Sequence, residues 1–141
     1  MYLLDADTYT HLLLKHPRVV ENAAAAVARG EDIGIPLITK IEVLRGRFEA
    51  LLKADSRDRF LTMQRRLFRA EEALRQITIV PLDAAAIDHF EQLSVTKGLG
   101  KIGRADLLIA SIVLARDSTL ATRNLKHFRL VPRLKLANWV D

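Results

Sequence analysis

Tyr2-Leu3-Leu4-Asp5-Ala6-Asp7-Thr8 opens the chain. Three apolar or aromatic residues in succession make a short buried strand. Asp5 ends it and leaves a carboxylate at the rim of the sheet that the strand joins. A helix-like run follows at once, from Thr8 to Leu14, and stops near Pro17, because the residue before a proline is pushed out of the helical region. Strand followed directly by helix is the pattern that the rest of the chain repeats.

Val20, Ala23, Ala24 and Val27 recur at helical spacing, and Gly30 suits the position just past that helix. Asp32 to Ile38 is expected as a second strand. Thr39-Lys40-Ile41-Glu42 has capping-box spacing, with Thr39 as N-cap. The helix after it carries Ile41, Leu44, Phe48 and Leu51 on one stripe and leaves Glu42 off it. A long helix is expected from Ser56 to Arg75. Its seam of Phe60, Met63, Leu67, Ala70 and Leu74 suits another helix, in the same chain or a neighbouring one. Arg57, Arg59, Arg65, Arg66 and Arg69 lie off the seam, either as a solvated face or as a surface that tracks phosphates. Ile77 to Leu82 is a third strand, placed at an edge or a strand end by Pro81. Asp83 caps a helix whose buried positions include Ala86, Phe90 and Leu93.

Residues 97–103 form a flexible, basic loop that lacks the spacing of a phosphate-binding P-loop. Arg104 to Ala115 is apolar on nearly every side, so its helix is central and buried, with Asp106 in the first turn. Ser118 to Ala121 is a fourth strand, closed by Thr122-Arg123-Asn124 and a single turn from Leu125 to Phe128. Leu134 to Val140 gives the last strand. Alternation of this kind implies an α/β fold, a mostly parallel central sheet of four to five strands flanked by helices, in one domain over residues 1–141.

The bulk properties agree. Half of the 141 residues are hydrophobic, which is enough for a real core. There is no cysteine, which excludes disulfides, thiolate metal sites and cysteine nucleophiles. No signal peptide or membrane-spanning run is read, and a cytoplasmic location is expected. The net charge of +5 favours acidic partners, nucleic acid among them.

In a parallel sheet the site lies at the carboxyl ends of the strands. Asp5 and Asn124 follow strands one and four, Glu42 follows strand two by a turn, and Asp106 opens the helix that leads into strand four. Four polar residues distant in sequence are therefore expected on one rim. Each has a plain local role available: strand-end turn or N-cap for Asp5, capping-box acid for Glu42, helix-dipole acid for Asp106, turn former for Asn124. Together they make a centre for a hard divalent cation held by oxygen. Such a cation serves displacement at phosphorus.

Leu3 to Thr8, Pro36 to Gly46, Ile102 to Ala110, Leu120 to Phe128 and the tail from Val131 to Trp139 resemble, in order and spacing, the successive motifs of PIN-domain ribonucleases, and most closely the VapC-type toxins of bacterial toxin–antitoxin modules. The resemblance spans essentially the whole chain. It implies metal-dependent endonucleolytic cleavage of RNA at an Mg²⁺ or Mn²⁺ site built from Asp5, Glu42 and Asp106. Asp5 and Asp106 anchor the metal, and Glu42 ligates it or orients the attacking water. Asn124 stands where many members carry a fourth acid, which leaves one negative charge fewer. Thr122 matches the family threonine that orients the site, and Asp7 supports it from outside the ligand set. Lys97, Lys101 and Arg104 are candidate phosphate contacts. The implied partners are RNA, a cognate antitoxin protein that meets the Phe60–Leu74 seam, and a second copy in a homodimer or a toxin–antitoxin hetero-oligomer.

Three other readings compete. A haloacid-dehalogenase-like phosphatase also begins with a strand and Asp-x-Asp, but Tyr9 occupies the place where its motif needs threonine or valine. A phosphate-receiver domain fits Asp5, Asp7 and Asp83 and gives Asp106 no role. A non-catalytic RNA- or partner-binding module of the same family is left open by Asn124.

Overall fold

The computed structural model describes residues 1–141. Five short strands, β1 (Tyr2–Leu4), β2 (Ile33–Pro36), β3 (Thr78–Val80), β4 (Thr119–Ala121) and β5 (Lys135–Ala137), alternate with helices α1 (Ala6–Leu13), α2 (Pro17–Ala28), α3 (Leu37–Leu52), α4 (Arg57–Gln76), α5 (Ala84–Ser94), α6 (Arg104–Ala115) and α7 (Leu125–Phe128). The strands form one sheet in the order β3-β2-β1-β4-β5, and every adjacent pair is parallel. The expected α/β sheet is therefore present, with β3 at an edge.

Successive strand residues face opposite sides of a sheet, and this divides the core in two. Leu3 and Leu120 pack with Ile109, Ile112 and Val113 of α6 and with Ala86 and Leu93 of α5. Leu4 and Ala121 pack on the other side with Tyr9 of α1, Val19 and Ala23 of α2, Val43 of α3 and Leu74 of α4. The result is a three-layer helix–sheet–helix sandwich. In α6 the five residues from Ile109 to Val113 are all buried, as its all-round apolar sequence requires. The hydroxyl of Ser111 among them donates to the Leu107 carbonyl at 2.6 Å, so its burial leaves no orphaned polar group.

The cap of α3 is not the expected capping box. The helix starts at Leu37, directly after β2, with Pro36 at the N-cap and no side-chain cap bond. Thr39 lies inside the first turn, fully buried, and its hydroxyl donates to the Leu4 carbonyl at 3.1 Å. The buried face of α3 is then Thr39 and Val43; of the expected stripe, Leu44 packs against the core and Leu51 is half-buried, while Ile41 and Phe48 are 51% and 54% exposed. Apolar residues occur all round this helix, so more than one stripe satisfies the helical period, and the sheet selects the face that carries Thr39.

Similar shifts occur in α2, where Val19, Ala23 and Ala26 are buried and Val20 and Val27 are exposed. Gly30 ends that helix region with φ +80°, a left-handed conformation that glycine adopts without penalty. In α4 the seam residues Met63, Ala70 and Leu74 are buried within the chain, while Phe60 is exposed. Met63, Ala70 and Leu74 are therefore taken up by this chain's own core, while Phe60 remains outward and Leu67 is half-buried. The apolar residues that α3 and α4 do present outward are Ile41, Phe48, Leu52, Phe60, Leu61 and Phe68.

Ser56 and Asp83 cap α4 and α5 by accepting from the amides of Arg59 and Ala86. The loop at 97–103 is tethered, contrary to the flexibility expected from its glycines. Leu99 and Ile102 are buried in the α6-side core, because a loop that crosses a helix-covered edge can bury its apolar members there. Phe90 is only half-buried, and the Arg104 guanidinium lies over its ring, 5.0 Å from the centroid. No helix is long and apolar enough to cross a membrane.

Candidate functional site

With β1 and β4 adjacent at the centre, the chain's connections run to one edge of the sheet from β1 and to the other from β4. Open α/β sheets offer a crevice at the carboxyl ends of such a pair. Asp5 leaves β1 at that point and Thr122 leaves β4. The two ends are tied by the Asp5 amide, which donates to the Ala121 carbonyl at 3.1 Å.

The Asp5 carboxylate is fixed at both oxygens. Oδ1 accepts from the Thr8 amide at 2.8 Å and so caps α1. Oδ2 accepts from the Thr122 hydroxyl at 2.5 Å. The capping and rim roles read from the sequence as alternatives are both filled by one side chain. The Thr122 oxygen also accepts from the Asn124 amide at 3.0 Å, while the Thr122 amide donates to the Ala137 carbonyl at 2.9 Å. One fully buried threonine thus joins β1, β4, β5 and the turn into α7.

Removing that hydroxyl leaves an enclosed carboxylate oxygen and an amide unpaired. Thr122→Val is expected to lower unfolding free energy by about 1–3 kcal/mol, with most of the loss avoided in Thr122→Ser. Urea denaturation of the three proteins measures this, and a valine variant as stable as the parent would refute the bridging role.

Glu42 projects from the second turn of α3 and Asp106 from the first turn of α6, both half-buried. Asp5, Glu42 and Asp106 are brought together, and each is harder to ionise than usual. Burial is the main cause for Asp5, opposed by the Thr122 hydroxyl and the Thr8 amide and reinforced by the charge of Asp7. Burial also raises Glu42, followed by repulsion from Asp106 and, more weakly, Asp5, while Arg45 acts against it. Asp106 is raised by burial and then by Asp5, against His127. Three acids are held where each disfavours the charge of another.

Asn124 reaches the group through Thr122, and its Nδ2 lies 3.4 Å from Nδ1 of His127. His127 did not stand out in the sequence, where it reads as a polar residue of a one-turn helix. Its only signal is the Asn-x-x-His spacing, which puts both residues on one side of a helical turn. Asp7 is half exposed and turns towards His11 and Arg123, at 3.6 and 3.8 Å. Lys97 and Lys101 are exposed on the tethered loop, and Arg104 is stacked on Phe90; the structure shows no contact from any of them to the acids.

The donor set is all oxygen apart from the His127 imidazole. No three Asp, Glu or His side chains converge closely enough to grip an ion by themselves. That arrangement fits a small hard cation, which takes one or two carboxylates and keeps several waters, better than one that needs a complete protein cage.

The PIN domain profile matches residues 2–134. Ribonuclease VapC2 of Rickettsia felis is 29% identical over 142 aligned positions, covering 99% of this chain and 98% of its own. Ribonuclease VapC1 of Haemophilus influenzae is 23% identical over the same span. Among solved structures, VapBC2 from Rickettsia felis bound to a DNA fragment from its promoter has a chain that superposes with a TM-score of 0.76 at 27% identity, covering 98% of both chains. DNA-bound VapBC from Salmonella typhimurium gives 0.77 at 22% identity over 98% of this chain and 97% of the other, a likeness of fold. With its parallel sheet, its central acids and a profile match over nearly its full length, this chain belongs to the PIN domain family.

Proposed function

We propose that the protein is a divalent-cation-dependent endoribonuclease that acts as the toxin of a toxin–antitoxin pair. The observation that carries this reading is the placement of Asp5, Glu42 and Asp106 around the β1–β4 crevice, where burial raises all three and the charge of Asp5 further raises Asp106 and, with Asp106, Glu42. The relatives support it: proteins named as VapC ribonucleases align over 98% of their length, and a solved VapBC complex shares the fold at 27% identity. The proposed substrate is RNA, the proposed partner is a cognate antitoxin protein, and the proposed assembly is a homodimer or a toxin–antitoxin hetero-oligomer.

In this reading Asp5 and Asp106 hold Mg²⁺ or Mn²⁺, with Glu42 as a further ligand or as the group that orients the attacking water. When bound, the cation would offset the repulsion among the acids and stabilise the charge that develops on phosphate oxygens. Thr122 holds Asp5 in one rotamer. Asn124 presents a neutral side chain beside His127, so the centre carries one charge fewer than four acids would give. Asp7 adds negative potential from outside. Lys97, Lys101 and Arg104 attract the RNA backbone to the rim, a non-specific and salt-dependent contribution.

The test is incubation of the purified, antitoxin-free protein with total cellular RNA in Mn²⁺ or in EDTA. Discrete products in Mn²⁺ and none in EDTA are expected. Products indifferent to chelation would overturn the cation's role. Folded protein that binds RNA without cutting it would make this a binding module.

A further inference from the structure

We propose that a second anion site lies beside the acids, in a groove where Arg47, Arg66 and Arg69 hold a further backbone phosphate of the RNA, near the bond that is cut. The proposal rests on the ribonuclease reading of the neighbouring acids. The groove has a volume of about 390 Å³, between the end of α1 and the facing sides of α3 and α4, and Leu13, Leu14 and Ala70 complete its lining. Arg66 and Arg69 stand three residues apart on α4, so they project to the same side.

No acid lines this groove, and none of the three arginines takes part in an ion pair within the chain. The Nε of Arg47 is enclosed and has no hydrogen-bond partner. An unpaired, desolvated N–H is costly, and three cations around one concavity repel one another. A bound anion resolves both problems. The planar guanidinium fork matches a phosphate in geometry as well as in charge.

The position of Arg47 decides which anion. It also lines an adjoining cleft of about 270 Å³ together with Asp7 and Glu42. Glu42 and Arg47 are five residues apart on α3, about 7.5 Å along the helix axis. A ligand that passes from one cleft to the other must tolerate acids at one end and arginines at the other. A polynucleotide does so, with its scissile phosphate at the acids and their cation and a later phosphate at the arginines. Leu14, 71% exposed at the groove's edge, offers apolar surface to a base or sugar.

The test uses the full chain carrying Asp106→Asn, which binds without cutting. Arg66→Ala with Arg69→Ala is compared with Arg57→Ala with Arg59→Ala. The latter pair removes the same charge from the same helix, outside the groove. A fluorescent single-stranded RNA is titrated across a salt series, and thermal melting confirms folding. The groove pair is expected to weaken binding about tenfold and to reduce the slope of log affinity against log salt by about 1.4, the share of two phosphate contacts. The outer pair should change much less. Equal losses for both pairs, or none for the groove pair, overturn the proposal. So does a groove pair that loses binding to a glutamate-rich peptide while RNA binding is unchanged, which would assign the groove to a protein segment. If RNA is cut by the parent but bound equally by both pairs, the ribonuclease reading survives and the groove site does not. If RNA is neither cut nor bound by the parent, both fall.

Discussion

Asp106→Asn is expected to reduce Mn²⁺-dependent RNA cleavage by at least about a thousandfold, and to raise the melting temperature of the cation-free protein at neutral pH. The first effect follows from the several kcal/mol that a positioned cation contributes to phosphoryl chemistry, at about 1.4 kcal/mol per factor of ten. The second follows from the sign of the pKa shift. Asp106 is harder to ionise in the fold than in the open chain, through burial and the charge of Asp5. Between its ordinary carboxylate pKa and its raised value, the folded state therefore binds more protons than the unfolded state. Stability falls as pH rises through that window, and the penalty is complete above it. Parent and variant should melt alike at pH values below the ordinary carboxylate range and diverge as pH rises. Mn²⁺ should then stabilise the parent, which has the full acid set, more than the variant. Scanning calorimetry at several pH values, with and without Mn²⁺, reads all of this. A variant that melts lower at neutral pH would mean that Asp106 makes contacts the fold requires. Retained cleavage would remove it from the site.

Gly34→Ala is expected to destabilise the protein by about 1–3 kcal/mol, the usual range for overfilling a packed position, and to depress cleavage as well. Gly34 sits in β2, opposite Leu3 of β1 and Thr78 of β3. A Cβ placed there would lie 2.8 Å from the Thr78 carbonyl oxygen and 3.4 Å from the Leu3 Cδ2. The first of these is a backbone atom and cannot rotate away, so β3 must move or β2 must tilt. Because β2 runs without a loop into α3, a tilt carries Glu42 with it. Denaturant unfolding and cleavage rates, measured on the same preparations, separate the two effects. Parental stability in the variant would show that edge strand β3 yields freely. A loss of stability with unchanged cleavage would show that α3 is held independently, through Thr39 and the Leu4 carbonyl.

The acids were legible because each ends or begins an element, and the alternation of elements fixes which rim those ends share. Asp5 needed only an apolar strand before it and a helix after it. Thr39 was misread because capping-box spacing arose by coincidence within the first turn of the helix. Its actual partner, the Leu4 carbonyl, lies 35 positions away. The stripe on α3 was misplaced because Ile41, Phe48 and Val43 are all apolar, and only packing against the sheet tells a buried face from an exposed one. Arg66 and Arg69 were visible as a basic run, but the groove needs Arg47 from another helix. No local pattern joins those three. His127 was missed because its one local signal, the Asn-x-x-His spacing, does not reveal that it lies near Asp106.

The hydrogen bond from Thr122 to Asp5 spans 117 positions, and β1 has β4 as its central neighbour. During synthesis, then, the first strand to leave the ribosome must wait for almost the last. A nascent chain that has not yet reached β4 lacks both the strand that completes the crevice and the hydroxyl that sets Asp5. Long-range parallel pairing of this kind is also slow to form. The β1–β4 crevice, with the Asp5 carboxylate it positions, is accordingly among the last parts of the molecule to be assembled.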